Sequence, residues 1–345
     1  MGLFASSDSY LGIDIGSTGI KIVELKKENN KITLVSYGFS ENIKTIKYDW
    51  QKDTVFAGKV INNICDEAGI VGRNAIAALP TFSVFSSILN LSNVSKKDIA
   101  SAVHWEAKKV IPLPLEDMIL DWKKVKTDNE DKNNIKVLLT GAPRLLVKKY
   151  INIFKEAKIN LISLETETFS LIRSLVGNNK STVMIVEIGA GTTDVSIIDN
   201  GIPMMNRSID IGGIAITQKI GHHIGIDVEN AEQLKCDIGI NSMNSKSNDI
   251  PKIILEIISP IINEIKYATN LYQNKNNKKT EKIILSGGSA LLPNLTNYLI
   301  KILDIKTIIG DPWSRISYPE DLKPLLHEIG PKMSVAIGLA MREME

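Results

Sequence analysis

The sequence predicts an α/β protein built from two related halves, with a smaller α+β module set into the first half. Three observations carry that expectation. A strand, a glycine turn and a returning strand open each half, with Asp14 and Glu187 at equivalent places 173 residues apart. Between these hairpins, apolar residues alternate between strand and helical spacing. The chain has 345 residues, enough for about two domains at ~150 residues each.

The elements follow in order. Tyr10 to Leu25 reads as two strands around the turn Gly16-Ser17-Thr18-Gly19. A third strand is expected near Lys31 to Phe39. Asp53 is a helix N-cap before Phe56, Val60, Ile61, Ile64, Cys65 and Ala68, and Gly69 stops that helix. Cys65 lies on its apolar face and is assigned to the core. From Pro80 to Thr140 a compact module is expected. It has a strand near Ser83 to Leu91, a helix from about Ser95 to Val110, and strands near Met118 to Lys126 and Asn134 to Thr140. A polar hairpin, Asp128 to Asn134, joins the last two. Trp105 and Trp122 are read either as core of this module or as walls of a groove.

A helix follows from Arg144 to Ala157. The strand pattern restarts at Thr182 to Glu187 and returns at Asp194 to Ile198. Asn200-Gly201 then gives a strong hairpin signal. Gly213 to Ser259 is expected to be mostly helical, with a polar loop at Asn241 to Asp249. Ser259-Pro260 reads as an N-cap and first helical residue, beginning a helix that reaches Gln273. Glu281 to Leu285 is a strand running into Ser286-Gly287-Gly288-Ser289. A last helix is expected from Pro331 almost to Glu345.

Composition excludes several functions. Basic and acidic residues number 41 and 39, too balanced for a nucleic-acid footprint. Two cysteines without a CxxC exclude a disulfide scaffold or a cysteine-rich zinc site. Four histidines argue against a histidine cluster in catalysis. No apolar run is long enough to span a bilayer. The N-terminus lacks signal-peptide character, although Met1 to Ser6 fits a loose myristoylation pattern. A cytoplasmic protein is expected.

The doubled turn favours phosphate. Glycines let backbone approach an anion, and turn N–H groups form an anion-binding concavity. Gly16, Gly189 and Gly191 supply that openness. Ser17, Thr18, Thr192 and Thr193 add hydroxyls, and Lys21 adds positive charge. Asp14, Glu187 and Asp194 cannot bind phosphate directly, but carboxylates suit the hydration shell of a magnesium ion. Gly287-Gly288, with Ser289, is a third open turn fit to lie against a base or sugar. Glu232 and Lys235 lie three apart on one helix face. Alone they read as a solvated surface pair.

Together these residues resemble the actin, sugar-kinase and heat-shock-ATPase superfamily. Leu11 to Thr18, with Lys21, is similar to its first phosphate motif, Glu187 to Asp194 to its second, and Ile283 to Ser289 to its adenosine motif. Gly213, Glu232 and Lys235 then fall where relatives hold the nucleoside. Ala102 to Ala107 continuing to Pro112, and Glu328 to Pro331 followed by Val335 to Ala340, resemble the PilM family of type IV pilus assembly proteins.

That resemblance implies an actin-like, ribonuclease H-like duplicated two-domain fold with an inserted α+β subdomain in the first half, as in FtsA. It implies a first subdomain at 1–82 and 142–180, and the insert at 83–141. A second subdomain at 181–212 and 263–326 is interrupted by a helical nucleotide cap at 213–262. A C-terminal helix at 327–345 returns to the first subdomain. The implied cofactors are ATP and Mg2+, with Asp14 and Asp194 near the metal. The implied partner is the N-terminal cytoplasmic tail of PilN, docked on the insert. Membrane contact is expected only through partners, and other platform proteins, motor ATPases and self-assembly are further implied possibilities.

The family has aspartate where this chain has Glu187. One added methylene moves the carboxylate by roughly 1 Å, enough to misalign an attacking water. Slow or no hydrolysis is therefore expected. Glu165 falls where relatives place a water-orienting side chain. The rival readings are a small-molecule kinase, for which no substrate insertion is visible, and an FtsA-like division scaffold. The latter is expected to carry an amphipathic helix after the last predicted one, where this sequence stops at Arg342 to Glu345.

Overall fold

The computed structural model describes residues 9–41, 53–95, 97–125, 134–240 and 249–344. The first half begins as a meander of β1 (Ser9–Ile15), β2 (Gly19–Glu28) and β3 (Lys31–Glu41). Helix α1 (Thr54–Glu67) starts at Asp53, whose side chain accepts the Phe56 N–H at 2.8 Å. It buries Ala57, Ile61, Ile64 and Cys65. Strand β4 (Asn74–Leu79) then runs parallel to β1.

The inserted module comprises β5 (Phe85–Ser92), α2 (Ile99–Val110), β6 (Met118–Lys124) and β7 (Asn134–Pro143). Its strands form a sheet in the order β5-β7-β6. Val103 and Ala107 of α2 pack on Leu89, Leu91, Val137 and Leu139. Trp105 and Trp122 are 65% and 37% exposed, so neither is core. The chain returns through α3 (Arg144–Glu156), β8 (Asn160–Thr166) and α4 (Glu167–Leu171).

The second half contains β9 (Val183–Ile188), β10 (Thr193–Asp199), β11 (Ile202–Ile209), α5 (Gly213–Ile224), α6 (Val228–Ile238) and α7 (Asp249–Asn276). It continues with β12 (Lys282–Ser286), α8 (Leu295–Leu303) and β13 (Lys306–Ile309). Strand β14 (Ile316–Ser317) then returns to the first sheet, parallel to β3 at its edge, so the expected second subdomain does not extend to 326, and α9 (Lys323–Ala340) follows. The two large sheets repeat one plan. Strands β3-β2-β1-β4-β8 and β11-β10-β9-β12-β13 each join two antiparallel pairs to two parallel ones. The duplication seen in two hairpins therefore extends over five strands. Helix α9 lies between the halves. Met333, Ala336, Ile337 and Ala340 meet Val23 and Leu25, while Val335 and Leu339 meet Ile76, Ile185 and Ile284.

Two helix boundaries differ from expectation, both at proline. Pro260 does not begin a helix but lies inside α7, and Pro331 lies inside α9, which starts at Lys323. A proline removes one helical hydrogen bond, yet continuous burial outweighs it. Ile254, Ile258, Ile261 and Ile265 form one unbroken buried stripe across Pro260. The expected division at 262/263 consequently falls within α7. The expected hairpin 128–134, apart from Asn134 in β7, the loop 241–248 and the N-terminal pattern 1–6 lie outside the described residues. Among the described residues, no helix is long and apolar enough to cross a membrane.

Candidate functional site: the cleft between the duplicated hairpins

A cleft of about 510 Å³ opens between the halves, a volume within the ordinary range of small-molecule sites. Thr18 and Lys21 line it from the first hairpin, and Glu187 and Gly189 from the second. Gly213, Glu232, Lys235, Gly287, Gly288 and Ser289 line the remainder. The three glycine turns predicted from sequence thus converge on one cavity.

Each turn is shaped by local geometry. Gly16 N–H closes on Gly19 O, and Gly189 N–H on Thr192 O, both at 2.9 Å. Gly287 has φ of +83°, and a β-carbon there would strike the Ile188 backbone at 2.4 Å, so this turn requires glycine. The hairpin tips face each other: a β-carbon on Gly191 would meet Ser17 Oγ at 2.8 Å. Thr192 is half-buried at the second tip. Thr193 departs from expectation. It is fully buried and donates its hydroxyl to Ile211 O at 2.7 Å, because β10 begins there and turns the side chain inward.

The Glu232–Lys235 pair is not a solvated surface pair. Lys235 is 4% exposed, with Nζ 2.6 Å from Glu232 Oε2, 3.1 Å from Thr217 Oγ1 and 3.4 Å from Gly213 O. Thr217 also donates to Glu232. The sequence reading missed Thr217, although it follows Gly213 by one helical turn on α5 and so shares its face.

The acidic groups divide into two sets. Asp14 is opposite Lys21 in the β1–β2 ladder and pairs with it at 3.1 Å. At the duplicated position Glu187 is opposite Asp194, a like-charge cross-strand pair that costs stability unless a cation joins it. Glu167 completes a cluster with Glu187 and Asp194, one oxygen of each lying within 4.8 Å of the others. Burial, then the charges of Asp194 and Asp14, pushes the Glu167 carboxyl up to about 8, against the opposing effect of its Thr81 hydrogen bonds. Burial also lifts Asp194 to about 6, opposed by the Ser208 hydrogen bond, and raises Glu187 well above the usual carboxylate range.

These residues fit a divalent cation. The donors are all carboxylate oxygens, as magnesium prefers. Glu187 Oε2 is moreover buried without a hydrogen-bond partner. Glu167, Glu187 and Asp194 would hold the ion, which when bound would screen anionic phosphate oxygens.

Glu165 is not part of this cluster. It forms a two-pronged ion pair with Arg173, at 2.7 and 3.1 Å, and Arg342 approaches at 3.6 Å. It lines a second groove of about 360 Å³ between the insert and the first sheet. The residue beside the second hairpin is Glu167. Strand β8 ends at Thr166 and α4 begins at Glu167, so the change from strand to helix re-aims the side chain.

Two sheets of one plan, a cleft between their hairpins and an insert in the first half define an actin-like protein. The chain belongs to the type IV pilus assembly protein PilM family, whose profile matches residues 12–344. A solved structure described as the PilM-PilN type IV pilus biogenesis complex superposes with a TM-score of 0.86 and 22% identity, covering 98% of this chain and 99% of that one. MreB5 of Spiroplasma citri bound to AMPPNP gives a TM-score of 0.53 and 15% identity over 96% and 95%. The cell division protein FtsA of Borreliella burgdorferi is 27% identical over 183 residues, 47% of this chain. That match spans 43% of FtsA, less than half the relative's length.

Proposed function

We propose that this chain is an ATP-binding scaffold of the type IV pilus assembly platform. It would bind Mg-ATP in the cleft and the cytoplasmic tail of PilN on its inserted module. The observation that carries the nucleotide reading is the facing pair of hairpin tips beside a buried acidic cluster with an unpartnered oxygen. Lys21 would neutralise phosphate charge, and Gly16, Ser17, Thr18, Gly189, Gly191 and Thr192 would present N–H and hydroxyl donors. Glu232 and Lys235 would hold the sugar and base edge against Gly287 and Gly288. Glu187 would hold the cation without aligning water for attack, giving slow or no turnover.

The likeness to the PilM-PilN complex supports the PilN tail as partner. The second groove suits an extended apolar peptide. Leu79, Val84, Leu164 and Phe169 give it an apolar wall, and Arg173, Glu165 and Arg342 a polar end. Strand β6 is an edge strand beside it, with Ile119 and Trp122 partly exposed, able to accept another strand. Through this tail the protein would sit at the cytoplasmic face of the inner membrane. A tail-peptide pull-down tests the docking: Ile119→Asp should abolish capture while ATP binding persists, and undiminished capture would place the docking site elsewhere.

A further inference from the structure

Glu167 ties the acidic end of the cleft to the root of the inserted module. Its Oε2 accepts both the N–H and the hydroxyl of Thr81, each at 2.9 Å. Thr81 is buried and opens the short turn 81–83 that leads into β5. Asp194 holds a second element. It accepts the hydroxyl of Ser208, and Ser208 lies on β11, the strand packed against that same turn and against β5. Two of the three clustered carboxylates are therefore bonded to the elements that meet beneath the module. The partner groove begins at this place, because Leu79 and Val84, on either side of the turn, both line it, as does Thr166 next to Glu167.

We propose that the Glu167–Thr81 contact relays cation occupancy of the cleft to the inserted module and its groove. Glu167 is a positioning residue in this relay, and the inference rests on the Mg-nucleotide reading above. Three carboxylates converging within 4.8 Å repel one another when no cation joins them. Without a bridging cation nothing opposes that repulsion, so Glu167 and the Thr81 root bonded to it open more readily. Once the three are held together by a cation, Glu167 is fixed in place. Its two bonds to Thr81 are fixed with it, so the Thr81 root is ordered. The walls contributed by Leu79 and Val84 follow it.

Hydrogen–deuterium exchange on the full chain tests this, with no addition, with Mg2+ alone, with AMPPNP in EDTA, and with Mg2+ and AMPPNP together. Nucleotide affinity is measured in parallel by calorimetry. Exchange at residues 81–92 should slow about tenfold with Mg2+ and AMPPNP together, and much less with AMPPNP in EDTA. Thr81→Val keeps the backbone donor and removes the hydroxyl. It should bind nucleotide within about threefold of the parent yet lose most of the slowing, and Thr81→Ser should restore it. A purely structural contact would shift exchange equally in all four conditions. The relay is overturned if the parent binds Mg-AMPPNP while exchange at 81–92 is unchanged, or if Thr81→Val slows as fully as the parent. If the parent binds no nucleotide, the proposed function fails together with the relay.

Discussion

Ser17 Oγ lies 2.8 Å from the point where a β-carbon on Gly191 would stand, so the tips of the two duplicated hairpins touch across the cleft. Any side chain at residue 191 must push them apart or fill the space between them. Gly191→Leu should cost at least about tenfold in ATP affinity, the measure of ~1.4 kcal/mol. At Gly288 an added β-carbon meets nothing within 4 Å, so Gly288→Trp should fold normally and place its ring in the nucleotide's volume. Calorimetric titration, with circular dichroism as the check on folding, reads both effects. Parental affinity in a folded Gly288→Trp would show that the nucleotide site is misplaced.

Turnover should be slow. Phosphoryl transfer depends mainly on positioning and electrostatics, and Glu187 lies in one acidic cluster with Asp194 and Glu167. Single-turnover assays with labelled ATP should show no more than about one event per minute. A rate near ~1 per second would contradict the role given to Glu187.

Metal-free stability should fall as pH rises. Glu167 and Asp194 bind protons more tightly in the fold than their ordinary values of 4.5 and 3.8, with folded values about 8 and about 6. In that window the native state carries more protons than the unfolded chain. Their contribution is therefore fully present below about pH 4, declines through 6 and 8, and levels off beyond. In EDTA the melting temperature should drop over this range, and Mg2+ should restore it at the alkaline end. Glu187→Gln removes one like charge and should flatten the slope. A melting temperature that rises between pH 5 and 8 in EDTA would contradict the buried acidic cluster.

Pro260 offers a test of packing. It sits within α7 and cannot donate to the Glu256 carbonyl one turn earlier. Pro260→Ala should stabilise the protein by ~1–3 kcal/mol, visible as a higher urea midpoint with an unchanged slope. A lower midpoint would mean that the stripe from Ile254 to Ile265 requires the proline's geometry.

The parts of the fold legible in the sequence are those fixed by local chemistry. The turns at Gly16, Gly189 and Gly287, the Asp53 cap and the strands around them follow from residue types at short spacing. What escaped reading depended on partners distant in sequence. Strand β4 carries the run Asn74 to Leu79, whose small apolar residues have little strand preference of their own. It forms because β1 and β8 flank it. Pro260 and Pro331 suggested helix starts, since proline is favoured there, until tertiary burial carried both helices past them. Glu165 and Glu167 are two residues apart with similar surroundings. Only the switch from β8 to α4 sends one to Arg173 and the other to the cleft. Thr193 resembled a phosphate donor by type, but its hydroxyl is engaged by Ile211 O.

Occupancy of the cleft by ATP is tested most directly by isothermal titration of the full chain with ATP in Mg2+, beside the same titration of Lys21→Met. The parent should saturate at one nucleotide per chain and weaken when EDTA removes the cation. Lys21→Met, lacking the positive charge beside the first turn, should bind at least about tenfold more weakly, a loss of ~1.4 kcal/mol. No saturable heat from the folded parent, or equal affinity in the two proteins, would contradict a nucleotide held between the duplicated hairpins.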